Sequence, residues 1–443
     1  MMKKNIILIS ICFLFLGCER YLDVKPDQKL ATITTKDDIW ALLGNENVLN
    51  SMTMQGEDMS DNYYMRFENW NAISNLAYRN RYIWDVAAED DVSWSVLYHR
   101  VYYTNVVLEA MDDMEKLWSR VETDEIIGTA LFYRSQAFFE LLTLYSLPYS
   151  IDVDGSHLGI PLRTTADINV SFNRSPVKEC YDKIISDLLE ATDRLPSLSQ
   201  FPTRPTKLAS QSLLARIYLA IGDYENAFTY AGKVLQNKAD LLDYNALNGT
   251  EVTPFPLFNK EVIHHTASYS TLLIPTNCIV DDALYASYGS NDQRKELFFQ
   301  EENETFTFRG SYAQDLYTHF TGLSTSEVYL IYIESAIRTG QVSDGLEKLT
   351  LFLSHRYDSF DMELESKLEN ELLDFVMDER RKELVFRNRR WEDIRRLNLL
   401  GEEISIRRQL AENIYILEPG SLNYAVLIPI EAIAYGGIPQ NNR

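Results

Sequence analysis

Aromatic rings interleaved with acids, amides and arginine occur in two stretches of this chain, and a sugar-binding surface is built from that mixture. A pyranose stacks its apolar face on a flat ring, while its hydroxyls bond to Asp, Asn, Gln or Arg in a partly open groove. The first stretch supplies Asp61-Asn62-Tyr63-Tyr64, Trp70-Asn71 and Tyr82-Ile83-Trp84-Asp85. The second is Tyr285-Ala286-Ser287-Tyr288-Gly289-Ser290-Asn291-Asp292-Gln293-Arg294. The candidate ligand residues are therefore Asp61, Tyr63, Tyr64, Trp70, Trp84, Tyr285, Tyr288, Asp292 and Arg294. Packing into a core is the competing use of every ring, and it is the favoured one for Trp94, Trp118 and Trp391, which lie in helical stretches.

Bond-breaking chemistry has no comparable signal. The chain contains no Gly-x-Ser-x-Gly elbow, no His-Glu-x-x-His, no Gly-rich phosphate loop and no Cys/His cluster. His264-His265 lies beside Val262-Ile263 in a strand or loop and reads as structural. Asp152-Val153-Asp154-Gly155 is like the start of a calcium loop, yet Arg163 stands where a bidentate glutamate belongs, so it reads as a turn. With 65 acids in 443 residues, chance carboxylate pairs are inevitable and none is singled out. The expectation is a binding protein, not an enzyme, with neither cofactor nor metal. Arg380, Arg381, Glu383, Arg390, Asp393, Arg395 and Arg396 could hold an anion, but mixed charge at helical spacing is more simply a set of ion pairs.

The place of work is written at the start. Lys3-Lys4 and the apolar run Asn5–Leu16 end at Gly17-Cys18. A dozen apolar residues cannot span a bilayer, which needs ~20, so residues 1–17 read as a cleaved secretion signal. Phe15-Leu16-Gly17-Cys18 resembles a bacterial lipobox, with Phe15 where leucine is usual and Cys18 as the acylated first residue of the mature chain; an ordinary cleaved signal beside a stray cysteine is the alternative. At ~0.8 kcal/mol per buried methylene, several acyl chains anchor far more firmly than one. The formal charge is −23, or −25 once Lys3 and Lys4 are removed. So acidic a surface repels phosphate backbones and anionic lipid, which leaves the lipid anchor as the one membrane contact and excludes nucleic acid. Cys12 goes with the signal, leaving Cys180 and Cys278 as one disulfide or two buried thiols.

Helices must position the candidate residues. Val101, Asn105, Leu108 and Met111, then Ile126, Ala130, Tyr133, Ala137 and Leu141, predict two long antiparallel helices over 95–147, closed by Pro148. Ser175-Pro176 starts another, with Leu188, Leu189 and Leu195 on its inner face and Pro196 at its end. In Pro205–Gln236, Leu214, Ala215, Tyr218, Gly222, Tyr224 and Ala227 fall where a tetratricopeptide repeat puts its small and aromatic residues. Ser324–Arg356 offers a second copy through Tyr329, Tyr332, Ala336 and Gly340, with Gly345 in the usual alanine position. Their turn glycines stand far more than one ~34-residue period apart, so something is inserted. The insert, 239–323, and the segment 51–94 carry prolines, amides and aromatics without helical spacing, as irregular loops and short strands would. The fold class is therefore mainly α: tetratricopeptide-like helical hairpins near 95–147, 175–236 and 324–396, forming an α-α superhelix, with a loop-rich lobe of few short strands.

Several blocks resemble the SusD/RagB family of outer-membrane nutrient-binding lipoproteins. They begin with Cys18-Glu19-Arg20-Tyr21-Leu22-Asp23-Val24-Lys25-Pro26 and continue through Tyr102–Leu108, Ala130–Ala137, Leu158–Leu162 and Leu208–Tyr224. The most specific is Glu379-Arg380-Arg381-Lys382-Glu383-Leu384-Val385-Phe386, followed by Arg390-Trp391-Glu392-Asp393-Ile394-Arg395-Arg396. Asp292-Gln293-Arg294 is similar to the family's Asp-x-Arg stretch. Arg387-Asn388 replaces the usual Glu-Gly, and asparagine tolerates left-handed backbone well enough to keep the turn. Ile428-Pro429-Ile430-Glu431-Ala432-Ile433 resembles the family's C-terminal Pro-Ile-Pro segment, and Ile438-Pro439-Gln440-Asn441 its Gln-Asn ending in shortened form.

The resemblance implies one SusD-like domain over 18–443, lipid-anchored in the outer membrane and facing the exterior. It implies a lid over a SusC-like TonB-dependent barrel, with the helical side toward the barrel and an oligosaccharide, or in some branches a peptide, handed across. A repeat-based adaptor that binds another protein and takes no nutrient is the competing class.

Overall fold

The computed structural model describes residues 33, 35–86, 91–152, 155–359 and 363–443. The leader and Cys18 lie outside these residues, as do Val153 and Asp154. Residues up to 41 form one unit, whose described part is mainly the start of the Lys36–Leu43 helix, opened by Thr35 and Asp38, each accepting from the other's backbone N–H. The second unit, 42–443, holds everything below. Its architecture is mainly α, with helical hairpins on one part of the chain and short paired strands on another.

The helical scaffold opens with Asp91–Met114, packed along Arg120–Tyr145. The second helix starts at Ser119 in a capping box, the Glu122 carboxylate accepting from the Ser119 backbone at 3.3 Å and from its hydroxyl at 2.8 Å. Its chain turns extended at Ser146, because the residues ahead of Pro148 are steered away from helix. Val177–Arg194 packs against it, beginning just after Pro176 and stopping before Pro196. Leu188 and Leu195 of that segment are buried, but Leu189 is 38% exposed and faces outward, contrary to the sequence reading. The helical period places residue 189 about 100° round the axis from 188, off the buried stripe.

Two tetratricopeptide-like hairpins follow the same local logic. Thr206 caps Lys207–Ala220, Gly222 turns the chain at φ +77°, and Asp223 caps Tyr224–Leu235. Ser324 caps Thr325–Arg338, Gly340 turns at φ +78°, and Val342–Ser354 returns. Gly345 lies where a Cβ would stand 3.2 Å from Ile337 and 3.4 Å from Ala336, close packing that explains glycine at the alanine position. The hairpins are neighbours in space: Tyr224–Leu235 lies along Thr325–Arg338, with the Phe228 and Tyr332 rings 4.5 Å apart. Arg216 and Glu327 join them in a buried bidentate pair at 2.7 and 2.6 Å. The repeat thus continues across the insert as though 239–323 were absent. Glu369–Glu383 and Arg390–Leu399 extend the scaffold as separate helices.

The lobe is built from both loop-rich segments. Tyr63–Tyr64 pairs with Ile279–Val280, stitching 51–94 to the insert. Around this seam packs a core containing Met54, Tyr82, Phe255, Leu284, Phe298 and Phe308. The segments are less irregular than their composition suggests, since they hold short helices at Gln55–Asp58, Phe67–Ala72, Leu76–Tyr82 and Asp282–Ser287. Cys180 and Cys278 are two free, buried thiols, which closes the disulfide alternative. Among the described residues no helix is long and apolar enough to cross a membrane.

Candidate functional site

Five of the nine candidate residues are buried and engaged by the protein itself. Tyr63, Tyr82 and Trp84 surround the Arg408 guanidinium at 4.8, 4.0 and 5.4 Å from their ring centres, a packed cation-π cluster. The Tyr63 hydroxyl donates to the Asp58 carbonyl at 2.8 Å, and the Trp84 indole N–H donates to that of Met59 at 3.0 Å. Trp84 sits at φ +53°, with its ring folded inward. Tyr288 is fully buried and donates to the Lys382 carbonyl at 2.9 Å.

Asp292 and Arg294 form a bidentate pair, 2.8 Å on both bonds, and Arg294 reaches Glu379 at 2.6 Å. Burial works against their charges, yet Asp292 is held below the usual carboxylate range by Arg294. Nearby, Arg356 bridges Glu261 at 2.8 Å and Glu383 at 2.9 Å. This network ties the insert to the Glu369–Glu383 helix. The Asp-x-Arg stretch is thus a clasp in the structure, and direct ligand contact from Tyr63, Trp84, Tyr288, Asp292 or Arg294 would require their present partners to be given up.

Most of the arginine-rich block is likewise paired with carboxylates, while among the described residues Arg395 donates only to the Ser146 carbonyl. Arg380 meets Asp393 at 2.9 Å, Arg396 meets Glu334 at 2.6 Å, and Arg389 meets Glu140 at 2.9 Å. Arg390 takes Asp61 at 2.7 Å, joined by Arg381 at 3.2 Å. Those two cations outweigh burial and hold the Asp61 carboxyl well below its ordinary range. His264 is buried, and burial pushes its imidazole down to about 3, so it is neutral at physiological pH.

Tyr64, Trp70 and Tyr285 remain partly exposed. The Trp70 indole donates to the Arg79 carbonyl at 3.0 Å and carries the Arg79 guanidinium 5.2 Å from its ring centre. Phe67 lies 6.1 Å away, and Asn69 Nδ2 fixes the loop by donating to the Thr276 carbonyl at 2.5 Å. Tyr285 lies in a separate groove, stacked on Phe306.

The two loop-rich segments meet in a cleft of about 170 Å³ that the candidate set did not single out. Tyr78 and Tyr269 stand on its walls, and Asp58 and Arg81 form its floor. Asp58 accepts from Arg81 at 2.6 Å and from the Ser270 hydroxyl at 2.5 Å, while Arg81 lies 4.8 Å from the Tyr78 ring centre. Tyr269 ends the Ala267–Tyr269 strand and is 55% exposed. Its alternation with buried Ser268 is the signal that could have marked it, since successive strand residues face opposite sides. Hydroxyl residues Ser51, Thr53 and Thr271 share the lining with apolar Met52, Met54, Val92 and Val96. Two ring faces amid hydroxyls and one charged pair suit a polyhydroxylated ligand. Among the described residues no group of three or more His, Cys, Asp or Glu is placed to hold a metal ion.

Residues 20–219 match a family model described as SusD-like, "Starch-binding associating with outer membrane", and residues 320–421 match that of the SusD family. Neither match includes residues 220–319. SusD-like protein P2 of Formosa agariphila is 22% identical over 350 residues, 64% of this chain and 67% of its own. A SusD superfamily protein of Bacteroides thetaiotaomicron superposes with TM-score 0.76 at 22% identity, covering 93% of this chain and 100% of that one. A putative sugar binding protein of Bacteroides vulgatus gives 0.75 at 20% identity, covering 93% and 99%. At such identities the structural likeness is one of fold.

Proposed function

Because the chain belongs to the SusD family, we propose that it is a surface lipoprotein, anchored at Cys18 in the outer membrane, that captures an oligosaccharide and passes it to a SusC-like TonB-dependent barrel. Binding and hand-over, without bond cleavage, are its task. The outer-membrane association in the family description supports the location, and the sugar-binding description of the Bacteroides vulgatus neighbour supports the ligand class.

The observation that bears most weight is the cleft between the two loop-rich segments. Tyr78 and Tyr269 offer ring faces there, beside the Asp58–Arg81 pair and a rim of hydroxyls. Stacked rings fix a pyranose without demanding charge, and the hydroxyl rim selects its orientation. Tyr64 and Trp70, on the same segment as Tyr78, are proposed to lengthen the binding surface.

Three experiments test this. Protease shaving of intact cells should remove the protein, and detergent extraction should recover it with a large outer-membrane barrel. Replacing Tyr269 with alanine should weaken glycan binding while the melting temperature stays near that of the parent, and Tyr78→Ala should weaken it with the fold retained by circular dichroism. A periplasm-facing protein, or glycan binding indifferent to both substitutions, would overturn the proposal.

A further inference from the structure

A second groove, of about 450 Å³, lies between the Asp282–Ser287 and Arg294–Phe298 helices and the hairpin Phe299–Glu302/Thr305–Phe308. All its lining residues fall within 220–319, outside both matched stretches. The hairpin turns on Asn303 and Glu304, both with positive φ (51° and 63°), as a two-residue type I′ turn requires. Its register sets Phe299 opposite Phe308 and Glu301 opposite Phe306, so these four side chains share one face. Phe299 and Phe308 are buried in the lobe core, while Phe306 lies further out and is only partly covered. On Phe306 lies the Tyr285 ring, centroids 3.5 Å apart and planes 13° apart.

The charges of this groove are unevenly available. Lys295 donates to the Tyr288 carbonyl at 2.8 Å and lies 4.7 Å from the Tyr285 ring centre. Arg309 donates to four backbone carbonyls, those of Phe299, Glu251, Gly249 and Glu296, at 2.6 to 3.2 Å. Both cations line the groove but are committed to backbone carbonyls, Lys295 through one bond and Arg309 through four. Glu296, Gln300 and Glu301 are exposed on the rim. An anionic chain entering here meets carboxylates and amides without an uncommitted guanidinium, whereas sugar hydroxyls find acceptors beside an aromatic pair.

We propose that this groove is a second glycan-binding site, selective for uncharged chains and against uronic or sulfated ones. It rests on the capture reading above and adds a ligand class to it. A polymer held at both the cleft and the groove is retained more strongly than at either alone, because the second contact is intramolecular.

Affinity electrophoresis of the purified full-length protein tests it, in native gels containing soluble starch, galactomannan or mixed-linkage β-glucan, against gels containing polygalacturonate or alginate. The expected result is retardation by at least one neutral polymer and by neither acidic one. In the retarding gel, Phe306→Ala and Tyr285→Ser should each lower the apparent affinity by roughly threefold or more, while Tyr285→Phe retains it. Parental mobility of Phe306→Ala and Tyr285→Ser, with Tyr269→Ala still impaired, would overturn the second site and leave the capture cleft standing. Retardation by the acidic polymers would overturn the charge selection, and no retardation by any neutral polymer would overturn both readings.

Discussion

Glu57 and Asn388 hold each other through reciprocal bonds. The Asn388 backbone N–H donates to Glu57 Oε2 at 3.0 Å, and the Glu57 backbone N–H donates to Asn388 Oδ1 at 2.9 Å. Asn388 sits in left-handed backbone at φ +59° and donates its amide to the Thr53 carbonyl at 2.9 Å. A side chain at position 56 would put its Cβ 2.9 Å from Asn388 Oδ1, so Gly56 is what lets the two segments close. The turn between the Glu369–Glu383 and Arg390–Leu399 helices thereby fixes the Gln55–Asp58 helix, whose Asp58 floors the cleft.

Burial pushes the Glu57 carboxyl up to about 7, against the donors of Asn62, Ser60 and Asn388. A folded-state value above the unfolded one means that its contribution to stability is complete below about pH 4.5 and fades as pH rises through about 7. The parent should therefore lose up to about 3 kcal/mol relative to Glu57→Gln between about pH 4.5 and pH 8. Urea midpoints of both proteins across that range measure it. A difference between them that does not move with pH would contradict the expectation.

The left-handed turn separates two substitutions at position 388. Glycine keeps the backbone and loses the side-chain bonds; alanine loses the same bonds and strains the backbone as well. Asn388→Ala should cost about 1 kcal/mol more than Asn388→Gly in equilibrium unfolding. Equal cost, or a milder alanine, would mean that the turn relaxes away from its present φ.

Arg216 and Glu327 join the two tetratricopeptide-like hairpins, and both are buried. Burial alone would raise the Glu327 carboxyl, but the Arg216 guanidinium holds it below its usual range. Removing one partner leaves a buried charge uncompensated, so Arg216→Met should cost about 3–5 kcal/mol, and adding Glu327→Met should recover most of that. A double variant as unstable as the single one would show that packing, not charge, dominates this joint.

Much of the scaffold was legible because helices write their spacing locally. Tyr218, Gly222 and Tyr224, then Tyr329, Tyr332 and Gly340, announced two hairpins, and the distance between them announced an insert. Their stacking side by side depends on Phe228 meeting Tyr332, a contact between chain segments that no local pattern encodes. The site was less legible for a related reason. Aromatic-polar clusters look alike whether a ring faces solvent, as Tyr269 does, or wraps a buried guanidinium, as Tyr63 and Trp84 wrap Arg408. Asp292 and Arg294 showed a motif without its partners, and only Glu379, far along the chain, makes them a clasp.

The most direct test is calorimetric titration of the purified protein with an oligosaccharide cut from a neutral polymer that retards it. The parent should bind with a Kd of roughly 1 μM or weaker, and Tyr78→Ala combined with Tyr269→Ala should weaken it by roughly tenfold or more with the fold retained by circular dichroism. An affinity equal to the parent's in that double variant would contradict the assignment of the cleft as the place of capture.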